Sequence, residues 1–126
     1  MLREGITGQG ETMVSQENTA KTVGSGELDV FATPAMIALM EETAYKSVAG
    51  ELDAGMGSVG TLMNVKHLSA TPVGMKVTCH TELREVDGRR LVFHVEAQDE
   101  AGLIGEGTHE RFIVENEKFQ KKADSK

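Results

Sequence analysis

Cysteine is almost absent from the 126 residues: only Cys79 is present. It cannot close an intramolecular disulfide, so the fold must rest on packing, and a reducing, cytoplasmic setting is the simplest fit. Aromatic residues are scarce too, at four Phe, one Tyr and no Trp. The core must therefore be built from Met, Val, Leu and Ile. No apolar run approaches the roughly 18–20 residues of a membrane span, which excludes a spanning helix. The first residues, MLREGITGQGE, lack the apolar centre of a secretory signal. Cations are outnumbered, with 13 Lys and Arg against 20 Asp and Glu for a net charge of −7. That balance argues against nucleic acid as the partner. It leaves room for an anionic small ligand, because a local patch can differ from the global sign. The length suits one domain spanning residues 1–126, with one core and a charged tail over 116–126.

What is present is organised around Val30–Val48, VFATPAMIALMEETAYKSV. The spacing predicts a long helix. Thr33 can serve as its N-cap, and Pro34 fits the first helical position, where a missing N–H costs nothing. At about 100° per residue, Met36, Ile37, Met40, Ala44, Ser47 and Val48 share one face. Glu42 points away from that face. Glu41 sits at its margin, roughly 60–80° from the centre of the stripe. It is either a boundary residue whose carboxylate reaches water or a partly desolvated carboxylate suited to a chemical task.

Around the helix the chain reads as strands. One is expected between Ile6 and Lys21, followed by a flexible link at Gly24–Gly26. After a glycine-bearing loop over 49–57, a strand runs from Ser58 to Ala70, with Thr61, Met63, Val65, His67 and Ser69 on one face. Thr71-Pro72-Val73-Gly74 is a turn. Met75–Val86 alternates well, with Met75, Val77, Cys79, Thr81 and Leu83 facing in. Asp87-Gly88 signals a hairpin, and Leu91, Phe93, Val95 and Ala97 continue the inward set. A last strand covers Leu103–Val114, and the tail frays or forms a short helix. The order is strand, long helix, then four strands in an antiparallel meander. One helix can cover only one sheet face, so the class is α+β, with the helix on the concave face of a five-stranded antiparallel sheet. Exposed sheet edges invite pairing with a second copy. This is the pattern of the hotdog fold.

Few residues advertise chemistry. His67, His80, His94 and His109 are scattered, Cys79 has no partner at zinc-like spacing, and no metal cluster stands out. Gly57-Ser58-Val59-Gly60 follows the helix instead of preceding one, so it is no phosphate loop. His80 and His94 fall on polar faces. His67 shares a face with Met63 and Val65, as either a hydrogen-bonded core histidine or a catalyst. Cys79 reads as a small core residue. Gly105 and Gly107 mark either close approach of the helix or room for a ligand. Lys118, Lys121 and Lys122 read as a solvated tail.

The stretches VFATPAMIALME, VGTLMNVKHLSATPVGMKVT, EVDGRRLVFHVEA and GEGTHERF resemble the fluoroacetyl-CoA thioesterase-like family of hotdog proteins, in order, over roughly residues 30–120. Position by position, Thr33, Glu41 and His67 match the family's Thr, Glu and His. Gly60 matches a glycine of the active-site strand, and Arg111 the Arg of the Gly-Thr-His-Glu-Arg motif. The resemblance implies hydrolysis of a short acyl thioester of coenzyme A at a homodimer interface, within a dimer or a tetramer of dimers. It implies no metal and no cofactor beyond the coenzyme A of the substrate. One departure is clear: the family's fluoroacetyl-specific enzyme carries phenylalanines in the lid before the helix, and Val23–Leu28 here has no aromatic residue.

Thioester hydrolysis needs a nucleophile or base and a donor for the developing oxyanion. Glu41 can attack the carbonyl or activate water, His67 can move protons near neutral pH, and Thr33 can hold Glu41 or the substrate. The Gly60 N–H is a candidate oxyanion donor, since glycine admits a close carbonyl. Two other classes stay open: a non-catalytic acyl-CoA binder, and another hotdog enzyme such as an acyl-CoA dehydratase.

Overall fold

The computed structural model describes residues 1–126. Strand β1 (Thr7–Met13) leads through a 3₁₀ turn (Gln16–Asn18) and a single-turn helix α1 (Ala20–Val23) to the long helix α2 (Thr33–Ala49). Four strands follow: β2 (Met56–His67), β3 (Lys76–Asp87), β4 (Arg90–Asp99) and β5 (Gly102–Glu115). A terminal helix α3 (Asn116–Asp124) forms from the charged tail and stays exposed. No helix is long and apolar enough to cross a membrane.

The strand expected between Ile6 and Lys21 occupies only the first half of that stretch. Ser15 accepts from the Glu17 N–H while the Asn18 side chain accepts from the Ser15 N–H, and this capping box turns the chain into the 3₁₀ helix. Helix α2 starts one residue earlier than its cap signal suggests. Phe31 donates its N–H to the Thr71 carbonyl at 2.9 Å, and Val30 forms a β-bridge with Pro72, so both are held extended. The N-cap is therefore Ala32, with no side-chain cap bond; Thr33 is the first helical residue and not the cap. Its hydroxyl is left free for another partner. The buried stripe of α2 is Met36, Leu39, Met40, Thr43, Ala44 and Val48. It is rotated towards Leu39 and Thr43 relative to the expected face, because α2 lies across β1 and β3, and Ile37 and Ser47 are only half-buried.

The five strands form one antiparallel sheet in the order β1-β3-β4-β5-β2. Strands β3 to β5 make a meander, but β2 pairs with β5 and not with β3, which corrects the four-strand meander. The connection after β2 crosses the sheet end. It is tied there by Leu68 N–H to the Ile104 carbonyl at 2.6 Å, and by the buried Thr71 hydroxyl to Asp99 at 2.8 Å. Strands β1 and β2 are left as the two edges. In β2 the register shifts between Gly60 and Leu62, so Thr61 is an unpaired bulge residue. Ser58 and Gly60 on one side, and Met63, Val65 and His67 on the other, all face the helix because of it. Thr61, expected on that face, is exposed.

The core lies between α2 and the sheet. Met36, Met40 and Val48 pack on Val77, Cys79, Leu83, Leu91, Phe93, Val95 and Ala97, with Phe31 and Ile104 closing one end. Each such large side chain contributes about 1.5–3 kcal/mol relative to exposure. Gly105 serves close approach: a Cβ there would meet Met36 Sδ at 2.6 Å, and one on Gly107 would strike the β2 backbone. Neither glycine opens room for a ligand.

Candidate active site

At the N-terminus of α2 the freed Thr33 hydroxyl shares a 2.7 Å hydrogen bond with His67 Nδ1. Local geometry brings them together: Thr33 opens the helix, and His67 is the last residue of β2. The other ring nitrogen, Nε2, is buried without a protein partner. Burial holds the His67 imidazole below its ordinary pKa, with the Ser69 backbone opposing, so the ring is neutral at pH 7. A cleft of about 280 Å³ opens beside the pair, lined by Ala20, Ser25, Phe31 and Ser69 among others. Of the aromatic-free loop, Ser25 lines the cleft, while Val23 and Leu28 are exposed.

A second cluster forms where the middle of α2 faces the first half of β2. The Glu41 carboxylate, 43% exposed, stands 3.7 Å from Arg111 Nη1. That is an ion pair and too long for a hydrogen bond. The guanidinium itself is held firmly. Its Nε donates to Ser58 Oγ at 2.8 Å, its Nη2 to the Ser58 carbonyl at 2.7 Å, and its carbon lies 5.7 Å from the centre of the Tyr45 ring. Burial lowers the Arg111 pKa, with Glu41 and Tyr45 opposing, yet a guanidinium keeps its charge at neutral pH. Gly60 pairs with Arg111 across the ladder. A Cβ on Gly60 would lie 2.6 Å from Glu41 Oε2, so the missing side chain is what lets the carboxylate reach the strand. Glu42 points to solvent and pairs with Lys46 at 3.6 Å.

The five residues singled out from sequence thus fall into two groups. Thr33 and His67 touch; Glu41, Gly60 and Arg111 form the other cluster. Eight residues of helix separate Thr33 from Glu41 by about 12 Å, and seven residues of strand put Gly60 and His67 roughly 20 Å apart. One chain does not bring the groups together. Both line β2, whose outer edge is unpaired.

Sequence reasoning missed three members. Ser58 and Tyr45 carried no signal. His109 did: Gly105, Gly107, His109 and Arg111 alternate along β5, and the last two are buried on the helix side. On the opposite sheet face, the ligand atoms of His94, Glu96 and Glu106 lie within 4.8 Å of one another. That group of partly exposed residues has no part in either cluster.

A family model described as fluoroacetyl-CoA-specific thioesterase matches residues 14–117. The fluoroacetyl-CoA thioesterase of Streptantibioticus cattleyicolor is 47% identical over 98 residues, covering 78% of this chain and 70% of that one. A solved structure of a fluoroacetyl-CoA thioesterase superposes with a TM-score of 0.94 at 39% identity, covering 100% of this chain and 98% of the other. A threonine-to-serine variant of that enzyme, solved with acetyl-CoA, gives 0.93 at 37% identity and covers 98% of each chain. A Thermus thermophilus member of the thioesterase superfamily gives 0.90 at 29% identity, covering 99% and 93%.

Proposed function

Because the chain belongs to the fluoroacetyl-CoA-specific thioesterase family and has its hotdog fold, we propose that it hydrolyses a short acyl thioester of coenzyme A, with Thr33, Glu41 and His67 as its working residues. The reaction releases the free acid and coenzyme A, which enters only as part of the substrate. One observation carries the reading: Thr33, at the head of a helix, gives its hydroxyl to His67 instead of capping. That leaves a neutral imidazole beside a cleft, suited to moving a proton onto the departing thiolate or off a water.

Glu41 supplies the charge. As nucleophile it bonds to the carbonyl carbon while the C–S bond breaks, and water then cleaves the mixed anhydride. As base it takes a proton from the attacking water instead. Arg111 and the Gly60 N–H offer positive charge and a donor to the developing oxyanion. Single turnover in ¹⁸O-water tests the nucleophile route: water opening the mixed anhydride at the Glu41 carbonyl carbon leaves the label in Glu41 and gives unlabelled acid, whereas the base route places the label in the acid.

A homodimer completes the site. Two β2 edges pairing antiparallel about a centre near Asn64 bring Gly60 of one copy beside His67 of the other, uniting the two clusters. Sedimentation at micromolar concentration should show a species well above the 13.6 kDa chain. The buried free Cys79 fits a reducing cytoplasm.

The loop at the cleft has no aromatic shield, so selection for fluorine is weak. An apolar pocket separates near-isosteric groups by only about 10–200-fold, and a fluoroacetyl-to-acetyl ratio of kcat/KM above about 10⁴ would overturn this part. The reading as a whole is tested by following thiol release across acyl-CoA chain lengths. Tight binding of every substrate without turnover, unaffected by Glu41→Gln, would replace the enzyme with a binder.

A further inference from the structure

We infer that His109 is a positioning residue: its ring anchors the β2 bulge and supplies the acceptor that keeps Arg111 from closing on Glu41. The inference rests on the reading above that Glu41, Gly60 and Arg111 form the acyl site.

The tautomer of His109 is dictated by its neighbours. The ring is fully buried, with Nδ1 2.8 Å from the Leu62 carbonyl and Nε2 3.3 Å from Arg111 Nη1. A carbonyl only accepts and a guanidinium only donates. The proton therefore sits on Nδ1, and Nε2 offers its lone pair. Burial and the Arg111 charge both hold His109 below its ordinary pKa, with the Leu62 carbonyl, Glu41 and Glu110 opposing, so the neutral ring is the resting form. Phe93, directly opposite on β4, stacks on it with centroids 6.1 Å apart, which fixes its orientation.

Two consequences meet at Glu41. Leu62 is the first residue paired beyond the bulge and Gly60 the last before it, so His109 grips the far side while Arg111 pairs with the near side. Of the five N–H groups of Arg111, one goes to Ser58 Oγ, one to the Ser58 carbonyl and one to His109 Nε2. Those three points set the plane of the guanidinium, and Glu41 is left 3.7 Å away, paired in charge but not hydrogen-bonded. Without the imidazole acceptor, a buried N–H has no partner. The nearest replacement is the Glu41 carboxylate. A closed Arg111–Glu41 pair would hold the oxygen that must attack or take a proton, lowering kcat with little effect on substrate affinity.

Two variants split the two bonds. His109→Asn keeps a donor for Leu62 and loses the acceptor for Arg111; His109→Gln reaches Arg111 with its amide oxygen and loses the Leu62 donor. Thiol release should show kcat down about 10–100-fold for His109→Asn, as for a displacement near 1 Å, with KM nearly unchanged. His109→Gln should regain most of that loss even if it melts lower than His109→Asn. Wild-type kcat in His109→Asn, or turnover that follows melting temperature across both variants, would make His109 purely structural and overturn the inference. If His109→Asn does not fold, Ser58→Ala, which frees the same guanidinium from the other side, carries the test: a loss confined to kcat supports it, and wild-type kcat overturns it. Glu41→Gln is measured alongside. If it turns over normally, the site reading itself fails; if it is inactive while both His109 variants are normal, only the positioning role fails.

Discussion

Gly60→Ala should separate activity from stability. The added Cβ would lie 2.6 Å from Glu41 Oε2, while His109 Cε1 at 3.4 Å and Arg111 Nη1 at 3.5 Å are already at ordinary contact. Only the carboxylate has to move, by about 0.8 Å to reach the 3.4 Å of normal contact. It is the end of a flexible, partly exposed side chain, so the shift is cheap in folding terms. The backbone of Gly60 is not in the left-handed region, so alanine fits without strain. Replacing glycine there stabilises by about 0.4–1 kcal/mol through the unfolded chain. The same shift matters more to the reaction. A displacement near 1 Å can cost about 10²-fold, so kcat should fall about 10–10²-fold, or roughly 1.4–2.7 kcal/mol of barrier. Thiol-release progress curves and thermal melting in one buffer read both quantities. On a Glu41→Gln background the alanine should add almost no further loss, because the group it displaces is already disabled. Wild-type kcat with a raised melting temperature would refute the idea that contact between Glu41 and this strand is needed. A collapse of both kcat and melting temperature would refute the argument that only the carboxylate moves.

Glu41→Gln should lower kcat by at least about 10²-fold, the low end for a positioned acid–base group. Glu42→Gln, facing solvent beside Lys46, should leave kcat unchanged and alter stability by about ±0.5 kcal/mol; an inactive Glu42→Gln beside an active Glu41→Gln would reverse the assignment. Cys79 is fully buried, and burial pushes its thiol up to about 11, with Thr43 opposing, so native protein should resist alkylation and Cys79→Ala should keep its turnover. His67 and His109 both sit below the ordinary 6.5 in the folded state. The unfolded chain then binds more protons as pH drops below 6.5, so their share of stability is complete above that pH and is lost as pH falls towards the folded values. Melting temperature should decline from pH 7 to 5, and His109→Gln should flatten the decline.

Strands β3 and β4 were legible because each keeps one parity across its inward residues, from Val77 to Leu83 and from Leu91 to Ala97, and Asp87-Gly88 marks the turn between them. Helix α2 was legible in extent but not in its first turn. The local cap signal at Thr33 competes with a partner 34 residues away, and no local pattern announces His67 as that partner. Pairing of β2 with β5 was hidden for a similar reason: alternation says which face a residue takes, not which strand lies beside it. The bulge then broke the alternation itself and put Thr61 on the wrong face. For Glu41 the helical wheel left two readings open, and it was the match of quoted stretches to a family that chose between them. His109 could have been found from its alternation with Arg111, but a buried histidine shows its partners only when the neighbouring strand is in place.

Thr61 acts as a phase shift. Ser58 and Gly60 are even-numbered and Met63, Val65 and His67 odd-numbered, yet all five point the same way because one residue between them is skipped by the ladder. Deleting that one residue would leave an ordinary strand with the same partners: Gly60 stays opposite Arg111, Leu62 opposite Glu110, and all five side chains keep their faces. What would be lost is shape, because a bulge bends its strand and increases the local twist. The bend lies between the glycine that admits Glu41 and the histidine that meets Thr33, so it sets how the two ends of this edge strand are angled to one another. Replacing residue 61 keeps that angle; removing it straightens the edge without exposing the core.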